Sequence, residues 1–254
     1  MTLTPKTTRR ILLVLLLVVW EALPRLGLVH TLFLPPLSDA LAAGWASGPM
    51  YLQNLVITLW QIVAAILFAC GGGIALGALI GSIPALRRMM MPLLSSAYAI
   101  PLVVIYPLLA AWFGIGASSQ ILFAGLYGII PVALATAAGV RSIDPQLFMT
   151  ARSMGANLPQ RILYVVLPAA IPSILSSLRI GGALAIVGVV LAQMLVSTEG
   201  LGFVISTYRT LLDGAHVFAA ILLVLAIALL FDMCVAVLEK RTRVWSGTQR
   251  LEDA

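Results

Sequence analysis

Histidine and cysteine are the side chains that most often ligate metals or act as bases and nucleophiles, and this chain has two of each. His30 and His216 stand far apart, and neither belongs to an HExxH motif, which puts two histidines on one helix face. Cys70 and Cys234 fall within long apolar stretches, and two cysteines cannot complete a four-ligand site. These residues therefore favour ordinary interfacial histidines and small packing cysteines over a metal or catalytic centre.

ATP hydrolysis would need a phosphate-binding loop, in which Gly-Lys-Ser or Gly-Lys-Thr follows a glycine-rich turn. The two lysines are Lys6, which follows a proline, and Lys240, which follows a glutamate, so neither stands in that context. Any nucleotide energy that this chain uses must therefore come from a separate polypeptide.

Asp232 is the clearest acidic residue inside an apolar stretch. A carboxylate near the middle of a membrane helix costs about 2.5 to 3.5 kcal/mol on insertion scales, so it needs a function or a partner. No second carboxylate is placed to pass protons onward, and Asp232 lies close to Glu239 and the basic end of its stretch. We expect it to pair with a basic residue and not to relay protons.

The composition indicates what kind of secondary structure carries these residues. Hydrophobic residues make up 61% of the 254 residues and charged residues 9%, and the mean hydropathy is +1.09. Such a chain belongs in a bilayer, and long unbroken apolar runs exclude an alternating barrel. The sequence predicts an all-α, polytopic membrane protein, one transmembrane domain over residues 1–254, with spans at residues 11–29, 55–83, 91–113, 121–140, 177–196 and 217–238.

Three of these spans have local features that set them apart from a plain apolar helix. The first span is the weakest, because Glu21 and Arg25 interrupt it, and Ser38 is the expected N-cap of a short helix that follows it. The second span carries a glycine-rich surface suited to close helix packing. Three prolines make the third span irregular: Pro92, Pro101 and Pro107.

The net charge of +6 would suggest nucleic acid for a soluble protein, but here the basic residues form clusters between apolar stretches. With the amino terminus inside, 13 of the 15 basic residues lie in cytoplasmic segments, and only Arg25 and Arg209 lie outside. We therefore expect no nucleic-acid partner, a multi-pass membrane protein, and both termini in the cytoplasm.

One long segment, residues 143–172, contains polar residues at intervals and lies between apolar stretches. Asp144 and Pro145 predict a capped helix start, and Gly155 predicts a left-handed stop. Asn157 with Gln160 resembles a capping box that starts a second helix. A structured elbow of this kind between spans is typical of a docking surface, although a helix lying flat on the membrane is an alternative.

Several motifs in this order and spacing resemble the binding-protein-dependent ABC importer permeases, in particular the nitrate/sulfonate/taurine type. They cover nearly the whole chain and read LPP at 34–36, IP at 100–101, WFGIG at 112–116, GVRSIDP at 139–145, ARSMGA at 151–156 and EGLGF at 199–203. The resemblance implies a type I importer fold in the bacterial cytoplasmic membrane. It also implies two ATPase subunits, a second permease copy, an external solute-binding protein and ATP held by the partner ATPase.

In that family the cytoplasmic loop, here residues 141–172, forms a coupling helix seated in a groove of the ATPase. Carried to matching positions, the resemblance assigns this role to Thr150, Ala151, Arg152, Ser153, Met154, Gly155, Asn157, Leu158 and Pro159. Two positions depart from the family pattern, because glutamate is common in relatives where Met149 and Gln193 stand here.

Polar groups within the spans are the candidates for lining a translocation pathway, with helix–helix hydrogen bonding as the alternative for each. They are Gln61, Ser95, Tyr98 and Gln193. Pro101 and Pro107 are candidates for the broken backbone of a gate, with a static kink packed against neighbouring helices as the alternative.

The function expected from these observations is the permease subunit of an ATP-driven importer for a small solute such as nitrate, a sulfonate, taurine, a pyrimidine precursor or an aromatic acid. The alternatives are a stand-alone secondary transporter or channel, which would need its own coupling groups, and an intramembrane enzyme, for which the sequence offers no nucleophile, base or metal cluster.

Overall fold

A computed structural model of the chain describes residues 5–157, 160, 164–165 and 167–243. Every regular element within these residues is helical, as the composition predicts. In chain order the helices are α1 (Pro5–Arg25), α2 (Leu37–Ala46), α3 (Gly48–Ser82), α4 (Pro84–Tyr98), a 3₁₀ turn (Leu102–Ile105), α5 (Tyr106–Phe113), α6 (Ala117–Arg141), α7 (Pro145–Ser153), α8 (Leu167–Leu195), α9 (Leu201–Thr210) and α10 (Gly214–Arg243).

Four of these helices, α3, α6, α8 and α10, are long and apolar enough to cross a membrane. They match the second, fourth, fifth and sixth predicted spans. The first predicted span corresponds to α1, which carries Arg9, Arg10, Glu21 and Arg25 and is not among the four. A sixth span therefore stays a prediction.

The third predicted span is broken, as its prolines indicate. α4 ends at Tyr98, Pro101 precedes the 3₁₀ turn, and Pro107 lies in the first turn of α5. The two halves together are apolar enough to span, but they are bent by 78° at the break. Proline removes a backbone donor and crowds the preceding turn, so the chain cannot run straight through both positions.

By its internal contacts the chain forms two compact units, one made of Met1–Thr58 and Gln193–Ala226, the other of Leu59–Ala192 and Ile227–Ala254. Because α3, α8 and α10 each contribute residues to both, this division does not test the prediction of a single domain.

In the second unit α3 packs closely on α6 through glycines spaced four residues apart. A Cβ atom on Gly77 would lie 2.5 Å from the carbonyl oxygen of Ala133, and one on Gly81 would lie 2.9 Å from the Cβ of Val140. Real Cβ atoms do not approach so closely, so glycine is required for this contact. The glycine-rich surface predicted for the second span is thus a helix-packing surface.

The same unit contains an ion-pair cluster between α8 and α10. Arg179 Nε donates to Asp232 Oδ1 at 2.8 Å, and Arg179 Nη1 donates to Glu239 Oε2 at 3.1 Å. The expectation that Asp232 pairs with a basic residue is confirmed. Its carboxylate is committed to a helix–helix contact.

In the first unit the predicted N-cap at Ser38 is wrong. α2 begins at Leu37, one residue earlier, after Pro36, which offers no side-chain cap. Ser38 lies in the first turn, and its backbone N–H donates to Glu21 Oε2 at 3.1 Å while its hydroxyl donates to Glu21 Oε1 at 2.8 Å. A carboxylate from α1 thus satisfies the Ser38 amide in the first turn of α2, whereas the sequence suggested that the Ser38 hydroxyl would accept from an amide further along the helix.

Candidate coupling site

The helix start predicted at residues 144–145 is confirmed. The Gln146 N–H donates to Asp144 Oδ1 at 2.8 Å, and Pro145 occupies the first turn of α7. The aspartate satisfies one of the unpaired amides at the helix start and places negative charge at the positive end of the helix dipole. The sequence therefore defines where α7 begins without help from distant residues.

The end of α7 is equally well defined. Gly155 has a φ of +76°, its N–H donates to the Arg152 carbonyl at 3.0 Å, and the Ala156 N–H donates to the Ala151 carbonyl at 3.0 Å. These paired bonds form a Schellman motif, which turns the chain sharply out of the helix. Glycine suits this position because a side chain in the left-handed region is strained.

The predicted capping box follows directly. The Asn157 N–H donates to Gln160 Oε1, and the Gln160 N–H donates to Asn157 Oδ1, both at 2.9 Å. Such reciprocal bonds prepare the start of a helix. The elbow is thus a short helix with defined ends, joined at Gly155 to a second capped start.

Most of the predicted coupling residues that the structure describes are exposed. The exposed set is Thr150, Arg152, Ser153, Met154, Gly155 and Asn157, and Met154 is 82% exposed. Ala151 is buried. Leu158 and Pro159 lie outside the described residues.

The exposed surface of the elbow combines apolar and cationic groups. Met149 is 63% exposed, so two methionines project from the elbow, and Arg152 makes no salt bridge with any residue that the structure describes. Methionine fills irregular apolar recesses, and arginine is enriched at protein interfaces. The elbow can dock against a partner that offers an apolar notch with an acidic rim.

The residues predicted to line a pathway fall into two groups. Gln61 and Gln193 are fully buried within the chain, whereas Ser95, Tyr98 and Pro101 are exposed at or beside the break after α4. The contacts of Gln193, described next, give it a role in helix packing. A pathway role stays a prediction for all five.

Sequence reasoning missed a buried polar cluster at the start of α9. Three side-chain oxygens accept its first backbone N–H groups: Asn54 from Gly200 at 2.7 Å, Thr58 from Leu201 at 2.8 Å and Gln193 from Gly202 at 3.0 Å. The Thr58 hydroxyl also donates to Gln193 Oε1 at 3.1 Å. The spacing of Asn54 and Thr58, one helical turn apart in an apolar stretch, is the signal that could have revealed it.

His216 lies in a second polar cluster of the first unit, stacked on Tyr208 and Tyr51 with ring centroids 4.3 and 6.4 Å away. Its Nδ1 is 2.8 Å from Asp213 Oδ2, and its Nε2 is 3.3 Å from Ser47 Oγ. Both ring nitrogens are thus engaged in packing contacts.

A comparison with protein families matches residues 73–244 to the model described as binding-protein-dependent transport system inner membrane component. The match covers more than half of the chain, including α7 and most of the apolar helices.

Two curated relatives match almost the whole length. The taurine transport system permease protein TauC of Escherichia coli (strain K12) is 33% identical, with 92% of this chain and 88% of the relative covered. The putative aliphatic sulfonates transport permease protein SsuC of Bacillus subtilis (strain 168) is 30% identical, with 92% and 85% covered. These relatives agree with the nitrate/sulfonate/taurine type indicated by the motifs.

Among solved structures, the inward-facing MetNI methionine ABC transporter contains a chain that aligns with a TM-score of 0.69. The identity is 17%, and the alignment covers 76% of this chain and 96% of that chain. At this identity the likeness concerns the fold alone, and it supports the predicted type I importer fold.

Proposed function

Because the chain belongs to the family of binding-protein-dependent transport system inner membrane components, we propose that it is the permease subunit of an ATP-driven importer for a small sulfonate such as taurine. Members of this family are transport components, so the expectation that the chain is not an enzyme is confirmed. The chain is a multi-pass inner-membrane protein, and its family works with ATPase and solute-binding partners.

The coupling role is supported mainly by the structure of the elbow, in which α7 is exposed and has a defined cap at each end. A helix can transmit the movement of a partner only if it does not fray at its ends. Here Asp144 caps the start of α7, and the left-handed Gly155 ends it. Met149, Arg152 and Met154 then project from a defined frame. An elbow built this way suits contact with a moving protein partner better than contact with fluid lipid, where a defined surface has no use.

In the proposed cycle two permease copies each present one elbow to one of two ATPase subunits. ATP, held by those partners and not by this chain, brings the ATPases and hence the elbows together. The spans then move as rigid bodies and open the pathway to the loaded solute-binding protein, and hydrolysis resets the assembly. The cytoplasmic position of the elbow follows from the charge asymmetry of the loops.

The substrate proposal rests on the two relatives, whose names refer to taurine and aliphatic sulfonates. Both substrates carry a tetrahedral, negatively charged sulfonate group, and taurine carries an ammonium group in addition. Nitrate, a pyrimidine precursor or an aromatic acid would be the alternative outcomes of a ligand screen on the solute-binding partner, which does most of the selection in this type of importer.

A stand-alone secondary transporter would need a free intramembrane carboxylate or a comparable coupling group. Asp232 is bound to Arg179 in the contact between α8 and α10. No observation favours this alternative.

The coupling role is tested with a matched pair of methionine variants in the assembled complex. Met154→Glu should abolish most taurine-stimulated ATP hydrolysis, because it puts a carboxylate into the expected apolar notch. Since Met154 is 82% exposed, folding should change by less than about 0.5 kcal/mol. Met149→Glu adds the same charge five residues away, where the family commonly has glutamate, and should preserve stimulation.

Co-purification of the ATPase with each variant separates the possible outcomes, because it does not depend on the choice of taurine as substrate. Loss of both ATPase binding and stimulation in Met154→Glu alone supports the coupling role. Full stimulation in Met154→Glu, with the protein inserted in the membrane, would contradict it.

A further inference from the structure

A basic cleft lies between α4 and α6 in the second unit. It encloses about 560 Å³, within the roughly 300 to 1,000 Å³ typical of small-molecule sites. The cleft is lined by Arg87, Arg88, Met91, Pro92, Ala137, Ala138, Arg141 and Ser142. No acidic residue is among these eight, so the cleft combines three guanidinium groups with an apolar wall.

The position of the cleft relative to the bilayer follows from the helices that meet there. α6 is one of the apolar membrane-crossing helices, and Arg141 is its last residue. α3 is another, and it ends at Ser82, shortly before Arg87 and Arg88. Charged residues at the ends of spans lie at the level of the lipid headgroups. The arginines therefore stand at headgroup depth, and the apolar wall extends from them along α4 and α6.

Within the described residues, the three arginines have donors that no other group accepts from. Arg88 and Arg141 are exposed, and none of the three makes a salt bridge with any residue in the described part of the chain. Arg87 Nη1 donates one bond, to the Gly81 carbonyl at 3.3 Å, and a guanidinium has five N–H donors. Paired arginines match the oxygens of a phosphate group in geometry as well as in charge.

We propose that this cleft binds an anionic phospholipid, with the phosphate held by Arg87, Arg88 and Arg141 and the glycerol and first acyl carbons against Met91, Pro92 and Ala138. A basic pocket between membrane helices is a typical site for an anionic headgroup. The apolar wall distinguishes a lipid from a free phosphate ion, which would gain nothing from it. The proposal does not depend on the transport substrate or on the coupling role of α7.

The test is native mass spectrometry of the purified full chain with equal amounts of phosphatidylglycerol and phosphatidylcholine. We expect phosphatidylglycerol to be retained in preference. A direct hydrogen bond to a charged group contributes at least roughly tenfold to binding, so Arg88→Gln with Arg141→Gln, which removes two such groups from the cleft, should lower this retention about 100-fold. The control, Lys240→Gln with Arg241→Gln, removes the same charge from two exposed residues at the end of α10 and should leave retention unchanged.

A second variant tests the cleft itself and not only its charge. Ala138 is exposed within the cleft, so Ala138→Phe can fill the space without disturbing the core and should lower lipid retention while all arginines remain. Inorganic phosphate at millimolar excess should not displace the lipid, because it lacks the apolar part.

Four results would overturn the proposal: unchanged retention in the double arginine variant, an equal loss in the control, no effect of Ala138→Phe, or displacement by inorganic phosphate. If the double arginine variant keeps the lipid but no longer co-purifies with the ATPase, the cleft is a protein docking site and the lipid assignment is wrong.

Discussion

Gln193 shows how one buried polar residue can organise a turn of the chain. Its Oε1 accepts from Gly202 at the start of α9 and from the Thr58 hydroxyl, and a Cβ on Gly200 would collide with its side chain. Gln193→Leu should destabilise the chain by about 1 to 3 kcal/mol, because it leaves a buried amide without its acceptor. Thermal unfolding in detergent measures this loss.

Gln193→Glu is the matched variant, because a carboxylate offers the same acceptor and lies at the positive end of the α9 dipole. We expect its unfolding temperature to stay closer to that of the parent than to that of the leucine variant. Equal stability of Gln193→Leu and the parent would contradict the packing role. A stable Gln193→Glu that fails to transport taurine would instead favour the pathway role predicted from the sequence.

Sequence reasoning gave helix–helix hydrogen bonding as one of two alternatives for Gln193, but it did not identify the partners of this residue, for a physical reason. Its partners, Thr58 and Gly202, come from other helices, and no local pattern records which helix ends meet. By contrast, Asp144 and Gly155 act on residues within a few positions of themselves, so their types and spacing were sufficient. Ser38 lies between these cases, because the acceptor in the first turn of α2 comes from Glu21 on another helix and not from a local side chain.

At the scale of elements, the close contact of α3 with α6 requires glycines on α3, because a larger side chain would collide with α6. Gly77→Leu should destabilise the second unit by about 1 to 3 kcal/mol or more, because a Cβ there already lies 2.5 Å from the Ala133 carbonyl oxygen. Gly71→Leu is the control on the same helix, since a Cβ at Gly71 meets nothing within 4 Å. Membrane yield and thermal unfolding of the two variants should diverge. Equal behaviour would show that the close approach is not needed.

The elements were predictable to different degrees. The long apolar stretches predicted α3, α6, α8 and α10, because hydrocarbon leaves few alternatives to a helix. Pro101 and Pro107 predicted that the third span is irregular, but not the 78° bend, since proline fixes where a helix breaks and neighbouring helices decide the angle. The glycine surface of α3 was visible, whereas its partner, α6, was not.

At the scale of the whole molecule, the distribution of charge predicts an orientation that the fold alone does not determine. Thirteen of the 15 basic residues lie in segments assigned to the cytoplasm, including those of the elbow and of the basic cleft between α4 and α6. Positive residues are retained on the cytoplasmic side during insertion, so the asymmetry should place α7 inside and the polar tip around Glu199 outside. The coupling role requires this orientation, because ATP is available only in the cytoplasm.

Cysteine labelling in intact cells tests the orientation. In a background with Cys70→Ala and Cys234→Ala, expressed without the ATPase, Met154→Cys should react with a membrane-impermeant maleimide only after the cells are opened. Glu199→Cys should react in intact cells, because both side chains are exposed and the charge asymmetry predicts that they lie on opposite sides of the membrane. Denatured samples labelled in parallel show that each cysteine is reactive. Labelling of Met154→Cys in intact cells would put α7 outside, and an ATPase in the cytoplasm could then not reach it.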